Sequence, residues 1–480
     1  MTADPASSPA TMLLTYKYRL NPEKRQHIAL ERILEQQRQL YNAALEERIL
    51  AWAKGRSISE YDQSKSLTVI RADDPAFAGV QRRIQRATLT RLDRAYKSFF
   101  KRAKAGAGAS SGFPKFKGRE HFDGFAFDAF QQITFADGGL RFSGMPGKLR
   151  VHVDRPLPET PHDKTGEIGV WIKNVWFKRE GTVWYVGVQV PAPVRSNRDG
   201  FGTGVIGVDW GTSVLAHMSS GEIVPNPRHG EALANDLARA QRAVARKKRG
   251  SRGRLKARRH KQAIERRIAN RRRNTMDKLS ARLVKHFGLV AVEKIEAKSL
   301  MNAERAGETL PQFVKTRRNR EALDAAPYML RQMTAYKARR EGAEIVEIDP
   351  AAKLADGTSA QPTQRCSMCG RLHFKELTEE HVCTTPGPFQ NIRLPRKLNA
   401  ARVVLSLALD GYGISSLADE NRGGPVPGGA SQDANRSDGS GRLGKTKGEQ
   451  SPMGRRGANT PLPTHTRDAQ DPRLRRATGR

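Results

Sequence analysis

The chain has 480 residues and a formal net charge of +36, with 85 Lys and Arg against 49 Asp and Glu. This excess favours a polyanionic partner, with nucleic acid as the leading candidate and an anionic membrane surface as the rival. No apolar run is long enough to span a bilayer, and the N-terminus lacks the pattern of a signal peptide. All three cysteines lie between Cys366 and Cys383, which favours a metal site over disulfides.

The N-terminal part predicts one strand followed by helices. Residues 1–11 are small and polar, and we predict that they are disordered. Residues 12–20 alternate apolar and basic side chains, which predicts a half-buried strand. Asn21-Pro22 then suits the start of a long helix. A further helix is predicted over 80–104, and nearly all charges on its polar face are positive, which favours contact with nucleic acid.

The middle of the chain predicts β structure. Gly112-Phe113-Pro114-Lys115-Phe116-Lys117 interleaves aromatic and basic residues. From 122 to 190 short apolar segments alternate with glycine turns, and 168–177 with 183–190 predicts a hairpin. We expect an all-β or β-barrel-like module, with 12–20 as a candidate additional strand.

Two further apolar strands each end on an acid. The run from 205 to 216 predicts a strand, a tight turn at Gly211 and a second strand, with Asp209 just before the turn. A single aspartate at a turn is usually a surface residue. The second strand, 286–293, ends on Glu293, and two such strands could direct both carboxylates at one divalent cation. This layout is typical of an RNase H-like, RuvC-type nuclease core.

The segment between these strands is strongly cationic. Residues 231–285 have an almost wholly helical pattern, with a basic break at 246–254. Such charge density favours a polyphosphate groove as its partner. The polar stretch 302–326 predicts a mobile segment, after which a helix and a buried strand resume the α/β alternation.

The cysteines predict a zinc site with one ligand in question. Cys366-Ser367-Met368-Cys369-Gly370 is a knuckle whose spacing lets two thiolates bind one tetrahedral zinc. A second knuckle starts at Cys383, but Pro386 stands where its second thiol belongs. His381 or His373 could be the fourth ligand, and we predict that His381 or a water takes that place if zinc is held. The alternative is a degenerate ribbon that no longer holds zinc.

The order of these motifs resembles the TnpB (OrfB) family of transposon-encoded RNA-guided nucleases, whose relatives are the type V CRISPR effectors. The resemblance covers roughly residues 13–409. The motifs that carry it are Tyr16-Lys17-Tyr18-Arg19-Leu20-Asn21-Pro22, Tyr41-Asn42-Ala43-Ala44-Leu45, Gly112-Phe113-Pro114-Lys115-Phe116-Lys117, Gly207-Val208-Asp209-Trp210-Gly211, Ala269-Asn270-Arg271-Arg272-Arg273, Lys278-Leu279-Ser280, Val292-Glu293-Lys294-Ile295, Cys366 to Gly370, and Asn399-Ala400-Ala401.

The resemblance implies a multidomain α+β fold. It has a β-barrel wedge domain with an inserted helical recognition domain, then an RNase H-like RuvC α/β domain interrupted by a degenerate zinc ribbon, and a disordered basic tail. The implied bounds are 12–20 and 112–195 for the wedge, 21–111 for the helical domain, 200–360 for the RuvC-like domain with its basic helical hairpin at 231–285, 361–392 for the ribbon, 393–412 for a closing helix and 413–480 for the tail.

The resemblance also implies partners and cofactors. These are a guide RNA, a target DNA duplex with a short adjacent motif, Mg²⁺ at the RuvC site and Zn²⁺ at the ribbon, in a cytoplasmic, nucleoid-associated bacterial protein that does not bind membranes. From charge and position we predict that the nucleic-acid contacts are Arg82, Arg86, Lys115, Lys117, Arg254, Arg258, Arg259, Arg266, Arg267, Arg271, Arg272 and Arg273.

One departure from the family decides the predicted function. The third motif of the family is D-x-N-A-A, and here Lys397 holds the place of its Asp, two residues before Asn399. No Asp or Glu lies between 381 and 409, so Asp410 and Glu380 are the candidate substitutes. We therefore expect Asp209 and Glu293 to remain from a damaged catalytic set.

Four functions remain open at this point. The first is RNA-guided DNA binding with weakened or absent cleavage, acting by target occupancy. The second is an active RNA-guided endonuclease with a displaced third carboxylate. The third is a transposition accessory protein that binds DNA, and the fourth is a non-specific nucleic-acid binder.

Overall fold

The computed structural model describes residues 11–106, 112–128, 133–162, 165, 167–195, 200–294, 311–373 and 379–415. The predicted disordered segments 1–11 and 413–480 lie outside these residues, apart from Thr11 and 413–415. Within the described ranges, no helix is both long and apolar enough to cross a membrane.

The N-terminal elements follow the sequence prediction. They are β1 (Thr11–Asn21), α1 (Lys24–Ala53), α2 (Glu60–Asp73), α3 (Pro75–Ala78) and α4 (Arg82–Lys104). Capping boxes start the first two helices: Glu23 and Gln26 cap α1, while Ser59 and Asp62 cap α2.

A seven-stranded antiparallel sheet is the first core. Its strands lie in the order β2-β8-β9-β1-β5-β4-β3, with a two-stranded β6-β7 pair beside it. Their bounds are β2 (Gly124–Ala126), β3 (Ile133–Ala136), β4 (Gly139–Phe142), β5 (Leu149–His152), β6 (Thr160–Pro161), β7 (Ile168–Gly169), β8 (Asn174–Glu180) and β9 (Val183–Pro193). The early strand β1 lies in the middle, between β9 and β5. Among the described residues no ladder joins β2 to β3, so barrel closure remains a prediction.

The first four helices share this core instead of forming a separate one. Leu30 and Ile33 of α1 and Ile84 of α4 belong to the same buried cluster as Tyr18 and Phe177 of the sheet. The apolar stripe of each helix faces the strands, as its periodicity predicts. The predicted helical domain is therefore packed directly on the predicted wedge.

A second, mixed sheet of six strands forms the other core. Its order is β12-β11-β10-β13-β14-β17, and β10, β13 and β14 are parallel. The bounds are β10 (Gly204–Trp210), β11 (Val214–Met218), β12 (Ile223–Pro225), β13 (Phe287–Glu293), β14 (Glu344–Ile348) and β17 (Ile414–Ser415), with β15 (Glu380–Val382) and β16 (Arg393–Pro395) forming a separate hairpin. The pair β14–β17 shows that ordered structure continues just past 412.

Helices cover both faces of this sheet. After a 3-10 turn (Glu231–Leu233) they are α5 (Ala234–Ala245), α6 (Arg252–His286), α7 (Gln312–Ala325), α8 (Pro327–Arg340) and α9 (Arg396–Leu409). Helices α6 and α8 share a buried cluster with Val208 and Val292, while α9 packs against Ala291. Helix α9 comes so close to β10 that a Cβ on Gly207 would lie 2.0 Å from the Ala401 carbonyl oxygen. Glycine is therefore required at that position.

The prediction of a mobile segment over 302–326 is wrong for its second half. Residues 312–325 form α7, and Ala326 in the left-handed region (φ 44°) turns the chain into α8. Asp324 at the end of α7 accepts hydrogen bonds from the backbone N of Gly230 and from Arg272. These long-range bonds, rather than local apolar periodicity, support the helix.

Helix α6 also joins the two sheets. Arg266 donates to the Glu180 carbonyl oxygen at the β8–β9 turn (2.7 Å), and Arg258 pairs with Glu120. The long basic helix is therefore a fixed part of the structure.

Candidate functional site

The two predicted acids lie side by side at the end of parallel strands. In the β10–β13 ladder Val208 is opposite Val292, so Asp209 and Glu293 each follow one position later. Alternate residues of a strand share a face, and Gly207 and Ala291 face α9. Both carboxylates therefore lie on the α9 side of adjacent strands, whose separation is about 4.8 Å.

Their surroundings disfavour ionisation. Burial raises the pKa of Asp209 to about 6, although the charges of Lys397 and Arg396 act in the opposite direction. Burial raises the pKa of Glu293 to about 7, and the nearby Asp209 carboxylate adds to this. Two neighbouring buried carboxyl groups are often ligands of a divalent cation, whose charge favours their ionised form.

Lys397 lies in the first turn of α9, at the same end of β10. Its Nζ donates to Ser213 Oγ at 3.2 Å, and a Cβ on Gly211 would lie 2.9 Å from that nitrogen. Within the described ranges it forms no ion pair within 4 Å of Asp209 or Glu293. Its charge nevertheless offsets part of the rise that burial causes in the pKa of Asp209. It also adds to the lowering that burial causes in the pKa of His217 on the neighbouring strand. The ammonium group therefore acts on Asp209 through space.

The candidate substitutes for the third acid lie elsewhere. Asp410 ends α9, thirteen residues and about 20 Å along the helix from Lys397, so the helix does not place it at the position of the missing acid. Glu380 pairs with Arg393 at 3.1 Å. Glu379 lies near Lys397 and His217. Its carbonyl oxygen accepts from Arg396 N, and its charge raises the pKa of His217 against the effect of burial. It is exposed at the mouth of the site.

A four-residue metal-binding group forms at the predicted ribbon. The ligand atoms of Cys366, Cys369, His373 and Cys383 all lie within 4.8 Å of one another. His381, the ligand we expected, is outside this group, with its ring centroid 5.5 Å from that of His373. The correction has a local cause. A bridge between Arg365 and Leu372 brings the chain back, so that the residue after Leu372 faces the thiols.

Hydrogen bonds prepare this group for zinc. His373 Nδ1 lies 2.7 Å from Thr384 Oγ1, which orients the ring, and its Nε2 lies 3.2 Å from Cys369 Sγ. Burial opposes ionisation of Cys369, yet hydrogen bonds from Thr385 and His373 lower its pKa overall. Three thiols and one imidazole are a standard zinc donor set. Among the described residues this is the only group of three or more such side chains close enough to share an ion.

Asn399 connects the two centres, a link that the sequence motif did not reveal. Its fully buried amide accepts from Ser367 N (2.8 Å) and donates to the Arg365 carbonyl oxygen (2.7 Å). Both partners belong to the knuckle, whereas Asn399 lies two residues after Lys397 in α9. The start of α9 is therefore held by the knuckle.

The predicted nucleic-acid contacts divide into two sets. One set is engaged within the protein: Arg82 with Thr68, Arg86 with Asp128, Arg254 with the Val244 and Lys247 carbonyls, Arg258 with Glu120, Arg266 with the Glu180 carbonyl, and Arg272 with Asp324. The backbone of Lys117 is bonded to Asn42. These residues bond within the protein, which the charge pattern did not show, although Arg82 and Arg86 remain exposed.

Of the remaining predicted contacts, Arg259, Arg267 and Arg271 are exposed along α6. Three further exposed cations that were not predicted, Arg252, Lys256 and Lys278, lie on the same helix, and the six are spaced by three, four or seven to eight residues. We call these six residues the cationic stripe of α6. Such spacing places side chains on one helical face, and the stripe is about 39 Å long. Arg273 and Lys115 are also exposed.

The comparisons with known proteins identify the family. A model of OrfB from IS605, described as "Probable transposase", matches residues 188–304, and a helix-turn-helix model matches 12–57. A Streptomyces pristinaespiralis protein with the provisional name RNA-guided DNA endonuclease is 30% identical over 424 residues, covering 85% of this chain and 94% of that protein. The chain belongs to the TnpB (OrfB) family. In this TnpB-family protein, residues 12–57 hold β1 and the single helix α1.

The chain is also similar to a second named relative and aligns with two solved structures. The Escherichia coli K12 protein InsQ, with the same provisional name, is 26% identical over 290 residues, which cover 59% of this chain and 64% of that protein. A structure titled as a Cas12f1-sgRNA-target DNA complex aligns over 82% of this chain and 98% of that one, at 12% identity and a TM-score of 0.44. A CRISPR-Cas12f ternary complex aligns over 79% and 81%, at 13% identity and a TM-score of 0.28. The family membership rests on the sequence match.

Proposed function

We propose that this TnpB-family chain is an RNA-guided DNA-binding protein that occupies its target with little or no cleavage. Two relatives bear the name RNA-guided DNA endonuclease, which supports a guide RNA and a target duplex as partners. The observation that carries the loss of cleavage is Lys397, an ammonium at the mouth of the Asp209–Glu293 pair.

The metal chemistry of the acid pair is limited by this lysine. Asp209 and Glu293 are a suitable donor set for one divalent cation, because their buried carboxyls gain most from a positive charge. Two-metal cleavage uses bound ions to stabilise the attacking and leaving oxygens of a phosphodiester. No third carboxylate joins the pair among the described residues. The positive charge of Lys397 weakens the binding of a second cation further.

Target occupancy requires strong backbone contacts, and the cationic stripe of α6 supplies them. Its six side chains are exposed, and a duplex offers phosphates on both strands along the same length. Base pairing with the guide supplies sequence specificity, so the protein needs only to hold the heteroduplex. The metal-binding group of Cys366, Cys369, His373 and Cys383 is connected to α9 of the same domain through Asn399.

An active endonuclease is the second candidate, because Glu379 lies near enough to influence His217. Rotation of its exposed side chain toward Asp209 would supply a third carboxylate. Cleavage by the unaltered protein that is lost in Glu379→Gln would favour this candidate. Cleavage that persists in Glu379→Gln and disappears in Asp209→Ala would overturn our proposal without supporting Glu379.

The decisive experiment assembles the protein with the RNA that co-purifies with it. The complex is incubated with Mg²⁺ and matched duplex DNA carrying the adjacent motif, and binding and cutting are measured in parallel. We expect guide-dependent binding and no detectable cutting, with duplexes of unmatched sequence as the control. Binding that ignores the guide sequence would instead support a non-specific binder or a transposition accessory protein.

A further inference from the structure

The segment Gly112-Phe113-Pro114-Lys115-Phe116-Lys117 is fixed at both ends. Phe113 packs edge-on against Tyr96 and Phe99 of α4, with ring centroids 5.5 and 5.3 Å apart. Four residues later, Lys117 N donates to Asn42 Oδ1 (2.8 Å), and Asn42 Nδ2 donates back to the Lys117 carbonyl oxygen (3.0 Å). Helices α4 and α1 thus hold the two ends of one short, proline-containing segment.

Between these two anchors the segment presents a cation and an aromatic ring to solvent. Phe116 is 56% exposed, and Lys115 is exposed. Within the part of the chain that the structure describes, no ring stacks on Phe116 and no carboxylate pairs with Lys115. Exposed apolar area costs about 25 cal/mol per Å² relative to burial. The ring therefore contributes little to folding and is available to a partner.

The chemistry around Phe116 fits a nucleotide better than an apolar partner. The last turn of α4 carries Lys101, Arg102 and Lys104, and Arg102 donates to the Gly112 carbonyl oxygen, so the segment that carries the ring starts beside a cationic surface. Protein interfaces have few charges at their centre. A ring on a positive surface is the combination that binds single-stranded nucleic acid, with the base on the ring and phosphates on the cations.

We propose that Phe116 stacks on an unpaired base of the guide RNA and that Lys115 contacts a neighbouring phosphate. This inference rests on the proposed function, since it names a contact with the same RNA. RNA is the preferred source because RNA loops expose unstacked bases that proteins bind through aromatic rings, and they do so before any DNA is bound, whereas unpaired DNA arises only when the target duplex is opened. The anchors at Phe113 and Lys117 fix the ring in advance and so reduce the entropy lost on binding.

The test compares four substitutions in the full-length protein. Dissociation constants for the co-purified guide RNA are measured at several salt concentrations for Phe116→Ala, Phe116→Leu, Phe116→Tyr and Lys115→Gln. Loss of one base stack weakens binding about 5- to 150-fold. We expect that loss in Phe116→Ala, most of it in Phe116→Leu, and wild-type affinity in Phe116→Tyr. The salt slope should stay unchanged in all three, and Lys115→Gln should reduce it by about 0.7.

Distinct outcomes would overturn the inference. Equal affinity in Phe116→Ala and the unaltered protein excludes stacking, and full affinity in Phe116→Leu replaces it with plain apolar contact. A defect that appears only when target DNA is added assigns the ring to DNA instead. The midpoint temperature of thermal unfolding should be unchanged in Phe116→Ala. It should be lowered in Phe113→Ala, which is the control for loss of the anchor. If the unaltered protein binds no RNA, the proposed function itself fails.

Discussion

The Nζ atom of Lys397 lies 3.2 Å from Oγ of Ser213, a residue 184 positions earlier in the chain. This bond fixes the ammonium at the turn that follows Asp209, while leaving it outside ion-pair distance of either acid. The lysine therefore contributes a fixed positive charge beside the acid pair without neutralising either carboxyl group directly.

Replacing Lys397 by Asp should create the missing carboxylate. We expect Lys397→Asp to gain guide-dependent, Mg²⁺-dependent cutting, because a third anion would help to hold the ions that stabilise the reacting oxygens. The readout is cleavage of matched duplex by the RNA-loaded protein. Lys397→Asn is the matched control, since it removes the cation without adding a carboxylate, and should stay inactive. Equal activity in both variants would show that charge removal alone is sufficient.

The acid pair should make the protein less stable as pH rises. Because the folded pKa values of Asp209 (about 6) and Glu293 (about 7) exceed their ordinary values, the native state holds more protons than the unfolded state between pH 4 and 7. Their ionisation therefore lowers the free energy of unfolding over that range, by about 3 kcal/mol per carboxyl. Denaturant unfolding at pH 4 and pH 8 measures this change.

The variant Asp209→Asn isolates that effect from other titrating groups. It should be stabilised relative to the unaltered protein at pH 8 and by much less at pH 5. Mg²⁺ at pH 8 should stabilise the unaltered protein and not the variant. A difference in stability that is the same at both pH values would contradict the raised pKa of Asp209.

Zinc binding should depend on His373 and not on His381. We expect elemental analysis to find about one zinc per chain in the unaltered protein and in His381→Ala. His373→Ala and Cys383→Ser should lose most of it, because either change leaves three ligands. Loss of zinc in His381→Ala with retention in His373→Ala would reverse the assignment.

The cationic stripe of α6 should account for the salt dependence of duplex binding. We expect Arg267→Gln with Arg271→Gln to lower the slope of log K against log salt by about 1.8, with little change in stability. Arg266→Gln with Arg272→Gln is the matched pair from the same turns of the helix. It should lower the free energy of unfolding, because both arginines bond within the protein. A lower salt slope in the Arg266 and Arg272 variant, with a loss of stability in the Arg267 and Arg271 variant, would contradict this assignment.

Asn399 should support the knuckle. We expect Asn399→Ala to lower the free energy of unfolding by about 2–4 kcal/mol, since it leaves one buried and one part-buried backbone group at the knuckle without their partner. Zinc retention in the presence of a competing chelator should fall in parallel. Ser406→Ala, on the exposed side of the same helix, is the control and should change neither quantity.

Local patterns were sufficient for several parts of the fold. The alternation over 12–20 predicts β1, and the apolar runs before Asp209 and Glu293 predict β10 and β13, because a strand with a buried face needs that periodicity. Helix α7 was missed, since its support comes from Asp324 bonding to Gly230, a residue far away in the chain.

The sequence by itself determined the cationic character, the spacing of the cysteines and the presence of Lys397 where the family has an acid, because these depend only on residue identity and order. The tertiary structure alone decided which charges are available. It selected His373 over His381 for the cysteine cluster and placed Asp410 at the opposite end of α9 from Lys397. It also separated Arg266 and Arg272 from Arg267 and Arg271. Neighbouring residues of a helix or strand point in different directions, so the partners of each side chain depend on what the rest of the chain packs against it.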